Sequence, residues 1–259
     1  MQFVDTHCHI HEPGYKLDTS EVEKNAAKDG VTRFICVGTD VITSRQAVEF
    51  VKNRPNAWAS VGLHPHDAKS EDSISDLGEI VAIAKHVAPN KIVAIGECGL
   101  DYFYENSPKA DQIRILRQQI ELAQKYNLPI IFHVREAFDD FWPIFDSYKG
   151  LRGVLHSFTD NQANLDKAIE RGLFIGVNGI ATFAKDPNQL QVYKNIPLGK
   201  MLLETDAPFL TPNPFRGTVN EPAKVKVVAE FLAKLRGESI QQIADSTTKN
   251  AQNLFSLTK

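Results

Sequence analysis

Short apolar runs alternate along the chain with longer stretches whose apolar positions recur at helical spacing. The runs are Phe3–Cys8, Arg33–Gly38, Ala57–Leu63, Ile92–Glu97, Pro129–Val134, Gly153–Phe158, Leu173–Val177 and Met201–Thr205. Most are rich in Val, Ile or Phe and continuous rather than alternating, the pattern of strands buried on both faces. The stretches between them predict helices. Ser107 followed by Pro108 reads as an N-cap with proline at the first helical position. After it, Ile113, Leu116, Ile120 and Ala123 share one helical face. Ser20 with Glu23, Thr43 with Gln46 and Ser239 with Gln242 have capping-box spacing. Asp160 predicts a helix start, and Gly172 the stop of that helix. From Glu221 onward the pattern predicts two helices broken near Gly237.

Strand, helix, strand, helix throughout implies parallel pairing with crossovers. Eight runs is the count of a TIM-like (β/α)8 barrel, an α/β fold whose strands all open at their C-terminal ends onto one face. An open doubly wound sheet is the rival, but its first turn is usually glycine-rich, and here that turn is His7-Cys8-His9-Ile10-His11. The Pro- and Asn-rich stretch Pro208–Pro222 reads as a loop, and no linker or repeat divides the chain, so one domain is expected over residues 1–259.

Composition narrows the field. The 259 residues are 42% hydrophobic and 24% charged, a globular balance that excludes a disordered, collagen-like or coiled-coil chain. The net charge of −3 is not the footprint of a protein that grips nucleic acid by its overall charge. Bound metal ions can nevertheless supply local positive charge for a polyanionic substrate. No basic stripe with interleaved aromatics runs along the sequence, so extended duplex binding is not expected. No apolar stretch reaches the roughly 18 residues of a membrane span. The first ten residues lack a signal-peptide pattern, and the three cysteines have no close pairing, so a reducing cytoplasm is the expected setting.

Histidine and carboxylate residues collect at the strand ends. They are Asp5, His7 and His9 on the first run, His64 and His66 on the third, and Glu97 then Asp101 on the fourth. His133 lies on the fifth, His156 on the sixth and Asp206 after the eighth. Side chains two apart on a strand point to the same face, so His7 and His9 can share one cation. Four histidines and two carboxylates exceed the needs of one tetrahedral ion and suit two, bridged by a carboxylate such as Glu97. Glu97 is the most telling, because a carboxylate in an apolar run needs a cationic partner. A single strand-end histidine is more often just a satisfied polar residue; five such strand ends together are not. His11, His86 and Cys98 read as exposed, helix-surface and packing residues, and Cys8 points away from its histidine neighbours. Nucleophile-elbow, phosphate-loop, Cys-x-x-Cys and zinc-protease motifs are missing.

These segments resemble the TatD family of metal-dependent deoxyribonucleases. The matches are Val4–His9, Gly62–His66, Ile95–Tyr102, Ile131–His133, His156–Phe158 and Leu203–Pro208, extended by Pro214–Gly217 and Asn220–Pro222. The resemblance implies one divalent ion on His7, His9, Glu97 and Asp206 and a second on Glu97, His133 and His156. It also implies that His64 and Arg216 face substrate phosphates, with Asp206 and Glu97 as catalytic groups. The implied activity is a 3′-5′ exodeoxyribonuclease on single-stranded DNA ends. The alternative is an ester or amide hydrolase on the same site, such as a D-aminoacyl-tRNA deacylase. The expected ions are Mg²⁺, Mn²⁺ or Zn²⁺: nitrogen-rich ligation favours Zn²⁺, Mn²⁺ or Fe²⁺ over Mg²⁺, whereas the family resemblance points to Mg²⁺. Lys224 is a second cation that could guide a strand. The oligomeric state is open, with a monomer slightly favoured.

Overall fold

Each apolar run is a strand. β1 (Phe3–Cys8), β2 (Val31–Val37), β3 (Ala57–Val61), β4 (Ile92–Asp101), β5 (Ile130–Arg135), β6 (Gly153–Leu155), β7 (Phe174–Val177) and β8 (Met201–Leu203) neighbour one another in chain order in an eight-stranded sheet. The helices are α1 (Thr19–Lys28), α2 (Val41–Val51), α3 (Ser73–Val87), α4 (Lys109–Tyr126), α5 (Phe138–Asp146), α6 (Gln162–Glu170), α7 (Pro187–Asn195), α8 (Val225–Arg236) and α9 (Ile240–Phe255). This alternation and strand order are those of a TIM-like (β/α)8 fold. The computed structural model describes residues 1–68, 73–104 and 106–257. No helix among these residues is long and apolar enough to cross a membrane.

The chain divides into two compact units, Cys36–His156 and the pair of segments Met1–Ile35 and Ser157–Lys259. Within Cys36–His156, β3, β4, β5 and β6 pair in parallel in that order. The sequence pattern ends β4 at Glu97, but the strand continues to Asp101, which lies opposite Arg135 of β5. Glycine explains the extension. A Cβ on Gly99 would stand 1.7 Å from the His133 carbonyl oxygen, and one on Gly96 2.4 Å from that of Ile131. The two strands therefore approach more closely than any side chain permits.

Within the other unit, β7 pairs in parallel with β8. β1 meets the chain just after β8, with Cys8 bridged in parallel to Ala207. Asp206 N donates to His7 O at 2.8 Å, and His9 N donates to Ala207 O at 2.7 Å. The Thr6 hydroxyl donates to Leu203 O at 3.0 Å. First and last strands are thus joined, the connection that closing a barrel requires.

The helix starts differ from the expected ones. Asp18 caps α1 by accepting from Glu21 N, and Asp40 caps α2 in a capping box completed by Thr43. Both aspartates start the helix ahead of the expected Ser20 and Thr43; an ionised carboxylate is a strong acceptor for first-turn amides and also favours the helix dipole. Asn161, not Asp160, caps α6. Pro108 precedes α4 without a side-chain cap, because the Ser107 hydroxyl donates instead to His66 O at 2.7 Å. The Ser239–Gln242 box and the left-handed Gly237 between α8 and α9 are as expected.

α4 buries Ile115, Leu116, Ile120 and Ala123, while Ile113 is half-buried. Its buried face also carries two glutamines. Gln119 accepts from Leu63 N at 2.8 Å and donates to Leu63 O at 2.9 Å. Gln112 accepts from Asp101 N at 2.8 Å and donates to the carbonyls of Asp101 at 3.1 Å and Ser107 at 2.9 Å. Each amide satisfies backbone groups that no strand neighbour reaches. Gln119 thereby holds the residue before His64, and Gln112 holds Asp101 itself. Gln119→Ala should lower unfolding stability by about 2–4 kcal/mol in urea titrations, because it leaves two buried backbone groups unpaired. A loss below about 0.5 kcal/mol would show that the clamp contributes no more than an ordinary surface side chain.

Candidate metal centre

Within the unit that contains β1 and β8, strand alternation places His7 and His9 on one face. Both are buried. Their Nε2 atoms are 3.2 Å apart. Asp206 Oδ1 lies 3.2 Å from His9 Nε2 and 3.5 Å from His7 Nε2. Two facing imidazole nitrogens and a carboxylate oxygen crowd one point, and a neutral imidazole offers a lone pair on one nitrogen only. A divalent cation would satisfy all three donors at once, so the set fits one. Asp206 is turned toward the histidines by a left-handed backbone, φ +59°. Behind it, the buried Asp5 carboxylate accepts from His7 N at 3.2 Å, Thr205 N at 2.9 Å and the Thr205 hydroxyl at 2.5 Å. Burial pushes the Asp5 carboxyl up to about 8, against the opposing pull of these bonds. Cys8 faces the other way, its Sγ donating to Ile35 O at 3.5 Å.

Within Cys36–His156, Glu97 is 5% exposed. Its Oε1 lies 2.8 Å from His133 Nδ1, 3.5 Å from His64 Nε2 and 3.7 Å from His156 Nε2. His64, Glu97 and His133 each present a ligand atom, and these atoms all lie within 4.8 Å of one another. Burial, aided by the neighbouring His133, lowers the His64 pKa. His133 also faces Asp101, with its Nε2 3.0 Å from Oδ2. Burial lowers its pKa, but the bonds to Asp101 and Glu97 raise it further, giving a net upward shift. A ring held between two carboxylates favours a positive charge, and a divalent ion can supply that charge in place of a proton.

The sequence reading is thus placed residue by residue. His7, His9 and Asp206 converge in one unit; His64, Glu97, His133 and His156 converge in the other. Arg216 is exposed on the β8–α8 loop with its guanidinium 5.6 Å from the Phe183 ring centroid, and Lys224 Nζ is 5.8 Å from that of Phe215. His11 is buried rather than exposed, because the chain after β1 folds back on itself through the Glu12 N to His9 O bond. His86 is exposed on α3, and Cys98 is buried.

Asp101 and His66 have roles that sequence reasoning did not assign. Asp101 Oδ2 lies 3.1 Å from His66 Nε2 as well as 3.0 Å from His133 Nε2. Its Oδ1 accepts from Phe103 N and Tyr104 N, both at 3.0 Å. Burial pushes its carboxyl up, yet the bonds from His133, Tyr104 N and His66 prevail and hold it well below the usual carboxylate range. The even spacing of Glu97, Gly99 and Asp101 on one strand was the available clue, hidden because Gly99 reads as a strand breaker.

Comparison with known proteins places the chain in a family. The family described as TatD related DNase matches residues 4–256. The metal-dependent hydrolase YabD of Bacillus subtilis is 39% identical over 253 residues, covering 97% of this chain and 98% of its own. A protein of Citrobacter rodentium named 3′-5′ ssDNA/RNA exonuclease TatD is 35% identical over 249 residues, 93% of each chain. The crystal structure of a TatD homolog from Escherichia coli K12, YJJV, superposes with a TM-score of 0.90 at 31% identity and covers 98% of both chains.

The β4–β5 contact makes a direct test. Gly99→Ala puts a methyl group on the His133 carbonyl and should cost about 3 kcal/mol or more, seen as a lower denaturation midpoint. A wild-type midpoint would mean that the strands can separate without cost.

Proposed function

Because this chain belongs to the TatD related DNase family, we propose that it hydrolyses phosphodiester bonds of DNA, removing nucleotides from single-stranded 3′ ends. The observation that carries this reading is Glu97, a buried carboxylate faced by three imidazoles. The proposal treats residues 1–259 as one barrel domain, whose strand ends share a face in this fold class. We assign one divalent ion to His7, His9, Glu97 and Asp206, and a second to Glu97, His133 and His156, with Mg²⁺, Mn²⁺ or Zn²⁺ as the ions. The match of these positions to the family's motifs supports the assignment, as does the donor chemistry of each cluster.

Bound there, divalent ions supply Lewis acidity toward phosphoryl oxygens and make a nearby water more acidic. The protein's residues do the rest. Asp206 orients the attacking water and takes its proton. Glu97 would contribute negative charge to the ligand set of a bound ion, and it holds His133 by its Nδ1 atom. Asp101 fixes the other edge of His133, the orienting role that carboxylates play behind ligand histidines. His64 and Arg216 face the phosphate, Arg216 with a fork that matches two oxygens at once. The water oxygen bonds to phosphorus, the bond to the leaving sugar oxygen breaks, and that oxygen is protonated. The activity named for the Citrobacter relative supports the substrate and the polarity. The three cysteines are buried thiols, which supports a reducing cytoplasmic setting, and a monomer is the proposed state.

Wild type, Glu97→Ala and Asp206→Asn should be compared on single-stranded DNA labelled at its 5′ end, with metal content measured alongside. Stepwise shortening from the 3′ end is expected for wild type, abolished by chelator. Asp206→Asn should lower kcat by about 10²–10⁴-fold, the range for removing a general base. Glu97→Ala should lose both metal and activity. A metal-loaded wild type that leaves DNA intact overturns the nuclease reading and directs the search to esters such as D-aminoacyl-tRNA. Asp101→Asn should weaken metal affinity by about 10–100-fold in calorimetric titration; unchanged affinity would remove Asp101 from the site.

A further inference from the structure

Within Cys36–His156, a row of aromatic rings runs outward from His133. Its ring centroid is 4.5 Å from that of His64, His64 is 4.4 Å from His66, His66 is 5.5 Å from Tyr104, and Tyr104 is 4.7 Å from Phe103. The row begins at a half-buried ring and ends in solvent: Tyr104 is 46% and Phe103 48% exposed. The two outer residues are not loose. Their backbone amides both donate to Asp101 Oδ1, whose other oxygen faces His66 and His133. The outer rings also carry a cation. The Arg135 guanidinium lies 3.8 Å from the Phe103 ring centroid and 4.9 Å from that of Tyr104.

Two large exposed aromatic residues normally cost solubility, and this pair is fixed to the candidate site through a buried carboxylate. Exposed aromatics with an arginine on them are the elements with which proteins hold unpaired bases and the adjoining phosphate. We propose that Phe103, Tyr104 and Arg135 form a base-stacking subsite for single-stranded nucleic acid. One unpaired base next to the scissile phosphate packs on the Phe103–Tyr104 pair, and Arg135 binds a phosphate oxygen beside it. A paired base in a duplex has its faces covered by its neighbours, so the subsite selects frayed or single-stranded ends. This inference rests on the phosphodiester reading above and adds to it the group that recognises a single strand. No basic stripe is visible in the sequence because Arg135 ends β5 while the aromatic pair follows β4, and the register of the two strands brings them together.

The test compares 5′-labelled single-stranded oligonucleotides that are intact or abasic at one of the last few 3′ positions. It uses wild type, Phe103→Ala/Tyr104→Ala, Arg135→Ala and the conservative Tyr104→Trp. Wild type should cleave the intact strand with a kcat/KM about tenfold above the abasic one, within the range of one base stacked on an aromatic side chain. The double alanine variant should bring that ratio close to one, mainly through KM, and Tyr104→Trp should preserve it. Arg135→Ala should raise KM for both substrates. As an independent readout, a 2-aminopurine near the 3′ end, bound in the presence of chelator, should lose fluorescence with wild type and keep it with the double variant. A double variant with wild-type KM, ratio and quenching overturns the subsite while leaving the nuclease reading intact. A metal-loaded wild type that neither binds nor cleaves any strand overturns both. Loss of the ratio in Tyr104→Trp as well would overturn stacking in favour of a role in loop structure.

Discussion

Glu97 holds a carboxylate almost out of water and sets three imidazole nitrogens within 3.7 Å of one of its oxygens. A charge in that position costs several kcal/mol unless it is met by opposite charge and hydrogen bonds. Much of the local structure can be read as meeting that requirement. Gly96 and Gly99 let β4 approach β5 so closely that His133 reaches the carboxylate. Gln112 and Gln119, buried in α4, hold the backbone on either side, at Asp101 and at Leu63. Asp101 takes the far edge of His133 and, through His66, extends the same network. Remove the carboxylate and three imidazoles lose their common partner; remove the glycines and the strand that carries it must move.

The donors in the other unit are placed by a different device. There the positioning is done by backbone pairing of the first strand with the chain after the last. Asp206 N and His9 N hydrogen-bond across that seam to His7 O and Ala207 O. Asp5 reinforces it from behind by binding His7 N and both donors of Thr205. The side chains of His7, His9 and Asp206 meet because their backbones are in register, so the cluster is as rigid as the strand pairing itself. Rigid donors suit a metal ligand set, which must hold its geometry without reorganising as charge develops.

An acidic protein with a polyanionic substrate needs its positive charge to be local. At three places a cation lies over an aromatic ring: Arg135 on Phe103, Arg216 on Phe183 and Lys224 on Phe215. Such a pair offers an apolar face and a charge together, which an unpaired nucleotide matches with its base and phosphate. The net charge is then a poor guide to what the protein binds, because solvent screens distant charges and leaves the near ones.

The pattern of apolar runs was enough to determine the eight parallel strands and the (β/α)8 class, since a strand buried on both faces must be apolar throughout its length. Histidines and carboxylates at the ends of those runs also marked the candidate ligands, because the fold class alone sends strand ends to one face. The caps of α1, α2 and α6 are Asp18, Asp40 and Asn161 rather than Ser20, Thr43 and Asp160, since several side chains compete to cap and only the backbone path selects among them. The length of β4 was hidden for a related reason. Gly99 disfavours a strand in isolation, and it is the contact with β5 that requires a residue without a Cβ there. Only the tertiary structure could assign Asp101, His66 and Arg135, whose partners lie on other strands or loops. A side chain's ionisation and its bonds depend on what faces it in space, and the pairing register that decides this is not written in local sequence.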